Sequence, residues 1–265
     1  VRQRTVVLMA SLALMMSWAC GRGSEPKAPT LEALDPAEIL RQMSSTIAGA
    51  HQLSFRAHRD LDAALVAGSA VAESADIEVA VSRPRMLQAK AVSSAGVRRF
   101  YTDGQSVSLL DETMNLYATV PLAGTIDEIV GRLEEQYGFT PPLVEFVLND
   151  PYQKFNTQIK GSVNRGKETV SGVECDRLAL VGEIADADLW IGRADHLPRR
   201  LVATFKDREG SPQLKVEFSE WNLAATLEET SFVFAPPKDA AKITMVIDDG
   251  QVEPSLVDER REKAK

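Results

Sequence analysis

Most of this chain alternates apolar and polar residues in short runs, a period-two pattern that restricts it to half-buried strands. Leu53, Phe55 and Ala57 alternate with Ser54, Arg56 and His58. Ile77, Val79 and Val81 alternate with Asp76 and Glu78, and Leu87, Ala89 and Ala91 with Gln88 and Lys90. Arg83-Pro84-Arg85 separates the last two runs, and Asp103-Gly104 after Phe100-Tyr101 is a hairpin signal. Val107 with Leu109, then Leu116, Ala118 and Val120, continue the series. Further runs fall near 155–163, 168–170, 173–180, 189–191, 199–205, 214–221 and 232–234, most of them bounded by Gly or Pro. About twelve strand signals result. Runs with one apolar and one polar face form antiparallel sheet with one covered side, so the fold expected is mainly β (α+β), a single large sheet.

The period changes to 3.6 in two places. Asp35-Pro36-Ala37-Glu38 is a helix start, with a capping Asp, Pro at the first position and an acidic first turn; Ile39, Leu40, Met43 and Ile47 follow as one stripe. Thr125-Ile126-Asp127-Glu128 is a capping box. Ile126, Ile129, Val130, Leu133 and Tyr137 then share one helix face, with Asp127, Glu128, Arg132, Glu134 and Glu135 opposite. Pro141-Pro142 predicts a second short helix carrying Leu143, Val144, Phe146, Val147 and Leu148, ending near Asp150-Pro151. It is apolar on nearly every side, which suits burial between layers or against an apolar cavity.

The first 20 residues read as an export signal. Arg2 and Arg4 precede an apolar run from Val6 to Met16, too short for a bilayer core of ~30 Å that needs about 20 residues. Ser17-Trp18-Ala19-Cys20 resembles a bacterial lipobox, with Cys20 as the lipid attachment site; Ser17 and Trp18 depart from it, and ordinary cleavage after Ala19 satisfies the same residues. Residues 21–34 read as a flexible tether, 35–245 as one β-domain and 246–265 as a polar, disordered tail. Gly21 lacks the Asp that, by resemblance to enteric-type lipoproteins, marks inner-membrane retention, so the outer membrane is the expected anchor. Loss of residues 1–19 takes the formal charge from −8 to −10. An acidic chain is unsuited to nucleic acid, which rewards clustered Lys and Arg.

Catalytic signals are sparse. His51, His58 and His196 lack metal-ligand spacing, and His196 in Asp195-His196-Leu197-Pro198 reads as a turn residue. No G-x-S-x-G, Walker-type or dinucleotide-binding pattern occurs. Asp186 and Asp188 share a strand face, so a hydrolase using paired carboxylates is one reading; a solvated strand explains them more simply. Cys175 reads as a small buried thiol. Arg56, on the polar phase of its strand, either faces solvent or gates a cavity. Trp190, Trp221, Phe232 and Phe234 read as core aromatics. No metal or cofactor is expected.

Taken together, the chain resembles a bacterial family of predicted periplasmic proteins of unknown function that adopts the fold of the lipoprotein carriers LolA and LolB. The matching residues are Arg99-Phe100-Tyr101-Thr102-Asp103-Gly104 with Leu116-Tyr117, then Gly124-Thr125-Ile126-Asp127-Glu128, Tyr137-Gly138, Pro142-Leu143 and Asp150-Pro151-Tyr152. Val173-Glu174-Cys175-Asp176-Arg177-Leu178, Leu189-Trp190-Ile191, Leu197-Pro198-Arg199-Arg200-Leu201, Ser219-Glu220-Trp221-Asn222 and Phe232-Val233-Phe234-Ala235-Pro236-Pro237 complete the match, from about Ala37 to Ile243. The resemblance implies an open half-barrel whose concave apolar face lies under a helical lid. It implies binding of lipid or an acylated protein there, without catalysis. The lid candidates are Ile126, Ile129, Val130, Leu133, Leu143, Phe146 and Val147; the sheet candidates are Leu53, Phe55, Val79 and Leu109. The expected partners are lipid or acylated protein, the membrane through the N-terminal anchor, and an envelope protein if the core is instead filled and the chain acts in envelope assembly or signalling.

Overall fold

The computed structural model describes residues 34–66, 70–141, 143–245 and 257–258. The export signal, Cys20, nearly all of the tether and most of the tail lie outside the described residues.

Helix α1 (Pro36–Ala48) starts where Asp35 accepts a hydrogen bond from the Ala37 amide at 3.1 Å, and it buries Ile39, Leu40, Met43 and Ile47. Six strands follow: β1 (Gln52–Leu61), β2 (Glu73–Ser82), β3 (Met86–Ser93), β4 (Gly96–Thr102), β5 (Ser106–Asp111) and β6 (Leu116–Pro121). Each pairs antiparallel with the next, as expected of a meander. Asp103 Oδ1 accepts from the amides of Gln105 and Ser106 to hold the β4–β5 turn, where Gly104 takes φ 82°. Helix α2 (Ile126–Tyr137) has both halves of its capping box: Thr125 Oγ1 accepts from the Glu128 amide, and the Glu128 carboxylate from the Thr125 amide. Left-handed Gly138 ends it.

Two elements differ from expectation. Residues 143–148 form a 3-10 turn (Val144–Phe146) rather than a helix, with Leu143 at φ 63°. The chain then starts helix α3 (Pro151–Gln158), where the run at 155–163 predicts strand. Asp150 accepts from the Gln153 amide and Pro151 sits in the first turn, so Asp-Pro opens a helix here rather than closing one.

A second meander consists of β7 (Ile159–Val170), β8 (Val173–Gly182), β9 (Ala185–Gly192), β10 (Pro198–Phe205) and β11 (Gln213–Asn222). Runs expected separately at 155–163 and 168–170 thus share one strand. β1 and β11 pair antiparallel and fuse the meanders into one sheet. Residues 232–234, expected as strand, lie at the end of a 3-10 turn (Glu229–Phe232) and beyond it. β12 (Ala241–Thr244) joins β6 in parallel, and β13 (Val257–Asp258), inside the tail expected to be disordered, pairs with β12. The strand order is β13-β12-β6-β5-β4-β3-β2-β1-β11-β10-β9-β8-β7. The sheet is curved, open and not closed into a barrel, and every pair except β12–β6 is antiparallel.

β6 lies near one edge of the sheet and β7 at the other. Residues 122–158 therefore cross a whole face, and they cross the concave one. There Leu53, Phe55, Val79, Val81, Leu87, Phe100 and Val107 from the sheet share one buried cluster with residues of α1, α2, 143–148 and α3. After β11 the chain returns over the other face. Gln52 pairs with the Leu227 backbone in both directions, and the Phe234 ring lies 5.5 Å from Tyr101 and 5.4 Å from Tyr117. Tyr101 is one residue out of phase with Phe100, so it points away from the main core.

Phe55 is 2% exposed and stacks on Trp221 at 4.3 Å, whereas Arg56 is exposed between Glu78 and Glu220. Phe55→Ala is expected to cost about 3–5 kcal/mol. Arg56→Ala is expected to cost less than about 1 kcal/mol. Urea unfolding of the two variants checks the contrast.

Candidate functional site

Ile129, Val130 and Leu133 lie three, four and seven residues after Ile126, so α2 presents all four as one stripe, and all are buried. Leu143, Val144, Phe146, Val147 and Leu148 are buried too. The Phe146 ring meets Phe218 of β11 edge-on at 4.7 Å and Phe155 of α3 at 5.7 Å. The structure brings all seven residues expected on the lid into one cluster with Leu53, Phe55 and Val79. Leu109 is partly buried against the same cluster. The lid thus consists of α2 and the irregular run after it.

A polar frame at its rim escaped the sequence reading. Arg83, in the turn between β2 and β3, is 9% exposed. Its Nη1 donates to the carbonyls of Val147 at 2.9 Å and Leu148 at 2.7 Å and to Asn149 Oδ1 at 3.1 Å; Nη2 donates to the Ile47 carbonyl at 3.4 Å. Asn149 passes the link on. Its amide donates to Asp127 Oδ2 at 2.8 Å, and its side-chain amide donates to the same oxygen and to the Pro84 carbonyl. The Ile126 amide also donates to Pro84 O, at 2.9 Å. One turn of the sheet therefore holds the start of α2, the end of the 143–148 run and the end of α1. Asp127 is legible as a polar-face residue of α2, but nothing local marks Arg83, since its acceptors come from distant segments.

At the other end of α2, Lys154 Nζ lies 3.0 Å from Glu134, which also accepts from Thr140 Oγ1. Glu145 is the one charged residue of the 143–148 run. Burial pushes its carboxyl above the ordinary value; Lys154 pulls it back, and Glu134 pushes it further up.

Two crevices lie beside α1 rather than beneath α2. One, of about 110 Å³, is bounded by Leu34, Ile39, Asp176, Arg193 and His196; the other, of about 140 Å³, by Leu40, Tyr152, Asn156 and Ile159. Both are small beside the ~300–1,000 Å³ of typical small-molecule sites. Sheet and lid residues share one buried cluster.

Asp186 binds Lys206 at 2.8 Å, which holds its carboxyl below the ordinary value, and Asp188 receives Arg177 at 3.0 and 3.2 Å. His58 Nδ1 lies 2.7 Å from Asp76, a hydrogen bond that raises its pKa. His196 takes φ 56° in the β9–β10 turn, and His51 is exposed. Cys175 is fully buried in a small cluster with Val170 and Trp190, and burial raises its pKa. Among the described residues, no group of three His, Cys, Asp or Glu is placed to hold a metal, and no helix is long and apolar enough to cross a membrane.

An open antiparallel sheet closed on its concave side by a helical crossover defines the class. Residues 36–246 match the family described as Predicted periplasmic protein (DUF2092), and the chain belongs to that family. No protein of curated function matches. Among solved structures, the chain is similar to the Mycobacterium tuberculosis lipoprotein LppX, at 16% identity and TM-score 0.44, covering 72% of this chain and 97% of that one. It is similar to LprF from Mycobacterium bovis, at 13% and 0.43, covering 72% and 95%. It is also similar to a LolA superfamily protein from Nitrosomonas europaea, at 10% and 0.38, covering 76% and 99%.

Asn149→Ala breaks the relay between Arg83 and Asp127, and the lid is expected to open locally at a cost lower by about 1–3 kcal/mol. Hydrogen exchange should quicken at residues 126–133 and 143–149 before the strands respond. Glu145 predicts a pH effect. Its carboxyl is raised in the folded state, so its stabilising contribution is complete below the ordinary value of about 4.3 and is lost as pH rises through the folded value. Glu145→Gln is therefore expected to raise the urea midpoint at neutral pH and to leave it unchanged near pH ~4, below the ordinary carboxyl value.

Proposed function

We propose that the protein is a non-catalytic envelope carrier that takes an apolar ligand, the acyl chain of a lipid or of an acylated protein, between the concave sheet and the lid. One observation carries this reading. The sheet and the lid share a continuous apolar interface, while side-chain ties hold the lid at the two ends of α2, at Arg83–Asn149–Asp127 and at Glu134–Lys154 of α3. Breaking a few rim contacts frees the lid as a unit. The apolar surface thus uncovered on both sides is restored by an acyl chain, at ~0.8 kcal/mol for each buried methylene. Ile126, Ile129, Val130, Leu133, Leu143, Phe146 and Val147 contact the ligand from the lid, and Leu53, Phe55, Val79 and Leu109 from the sheet. The single domain covers 35–245, and Cys20 anchors it to the outer membrane through the 21–34 tether. The family's description as periplasmic supports that location.

A second reading follows from the buried cluster that sheet and lid share: a filled core, and action through a protein partner. Export of the full chain bearing Cys20→Ser, followed by native mass spectrometry and organic extraction, decides between them. The carrier reading expects phospholipid or acyl species at near one per chain, reduced in a folded Ile129→Asp variant. A clean apo mass, with no acyl probe taken up afterwards, leaves the partner reading.

A further inference from the structure

Arg83 is a buried cation whose partners are all neutral. Among the described residues no carboxylate lies within ion-pair distance of it, whereas Arg59, the other arginine with a buried and unpartnered Nε, is paired with Glu73. Arg83 is 9% exposed, its Nε has no acceptor, and its charge rests on carbonyl and amide oxygens. Three of those four oxygens, on Val147, Leu148 and Asn149, belong to the lid. Asp127, which offsets the cost of burying the charge, belongs to the lid as well. Opening therefore removes most of the acceptors and the nearby negative charge together, while the guanidinium stays on the sheet. A cation in that position demands new oxygen ligands.

The apolar floor begins beside it. Val81 and Leu87, paired across β2 and β3 next to the Arg83 turn, are buried in the main cluster, and Val79 continues the row. A ligand with its head at Arg83 lays its tail along that row.

We infer that Arg83 selects the ligand's headgroup: in the open form its guanidinium binds the anionic oxygens of a carboxylate or phosphate in place of the lid's carbonyls. The planar fork matches both groups, which share two or more oxygens at the spacing of its N–H donors. The inference rests on the carrier reading and narrows it to acidic amphiphiles.

The test uses the exported full chain with Cys20→Ser and the neutral fluorophore N-phenyl-1-naphthylamine as probe. Dodecanoate, dodecyl phosphate and dodecanol compete for it at neutral pH. The three have equal tails, and the two acids separate a carboxylate source from a phosphate source. At least one acid is expected to displace the probe at a concentration lower than dodecanol by about tenfold, the gain typical of a charge-assisted pair. Arg83→Gln is expected to erase that preference while dodecanol competes as well as before or better, because the lid is also loosened. Asp127→Asn, which weakens the lid without touching Arg83, is expected to keep the preference and tighten dodecanoate binding; it serves if the Arg83 variant does not fold. Equal competition by acids and alcohol, or a preference that survives Arg83→Gln, overturns the headgroup inference and leaves the carrier reading intact. Failure of the probe and of all three competitors to bind overturns both.

Discussion

A chain that leaves an antiparallel sheet near one edge and rejoins it at the other must cross a face, and here the crossing segment became the lid. β6 and β7 are consecutive strands yet lie far apart in the sheet. The 37 residues between them, 122–158, carry α2, the 3-10 turn and α3. Because α2 is apolar on one side and the 143–148 run on nearly all sides, the crossing buries itself against the concave strands. The same constraint acts on the return path. β12 lies beside β6, so residues 223–240 recross the sheet on the other face, and Phe234 settles between Tyr101 and Tyr117.

Apolar burial is non-directional and does not by itself place a helix. The polar frame supplies the direction. Arg83 and Pro84 together receive or donate bonds at Ile47, Ile126, Val147, Leu148 and Asn149, so one turn sets where three separate segments end or begin. Such a frame is strong while complete and costly when broken in part, because a buried charge left without acceptors is heavily penalised. The lid is accordingly held by few groups.

The residues read best were those whose signal is local. The Thr125 capping box, the α2 stripe, the Asp35 start of α1, the β1–β6 alternation and the His196 turn each depend on neighbours within a few positions. Sequence and structure part where a local signal has two meanings. Asp150-Pro151 can end one element or start the next, and it starts α3. The apolar run 143–148 suits a helix, but it sits in a short span between α2 and α3 whose downstream end is pinned to the Arg83 turn through Val147, Leu148 and Asn149 and to Ser44 of α1 through the Tyr152 amide. Phe232-Val233-Phe234 has strand composition, yet it lies on the back of the sheet. In the sequence Arg83 is turn punctuation beside Pro84, since its role depends on residues 36 to 66 positions away.

The residue pattern is enough for the class of the protein: a single, mainly antiparallel sheet with an amphipathic helical insertion, carried by periodicities of two and 3.6 that depend only on backbone geometry. It also determined which residues face the core, because a one-residue slip would turn every strand inside out. Tertiary structure alone decided the strand order, the face that each crossing covers and the meeting of lid and sheet at Arg83. Those depend on contacts between residues distant in sequence, whose acceptors are backbone carbonyls that every residue type provides and no sequence pattern distinguishes.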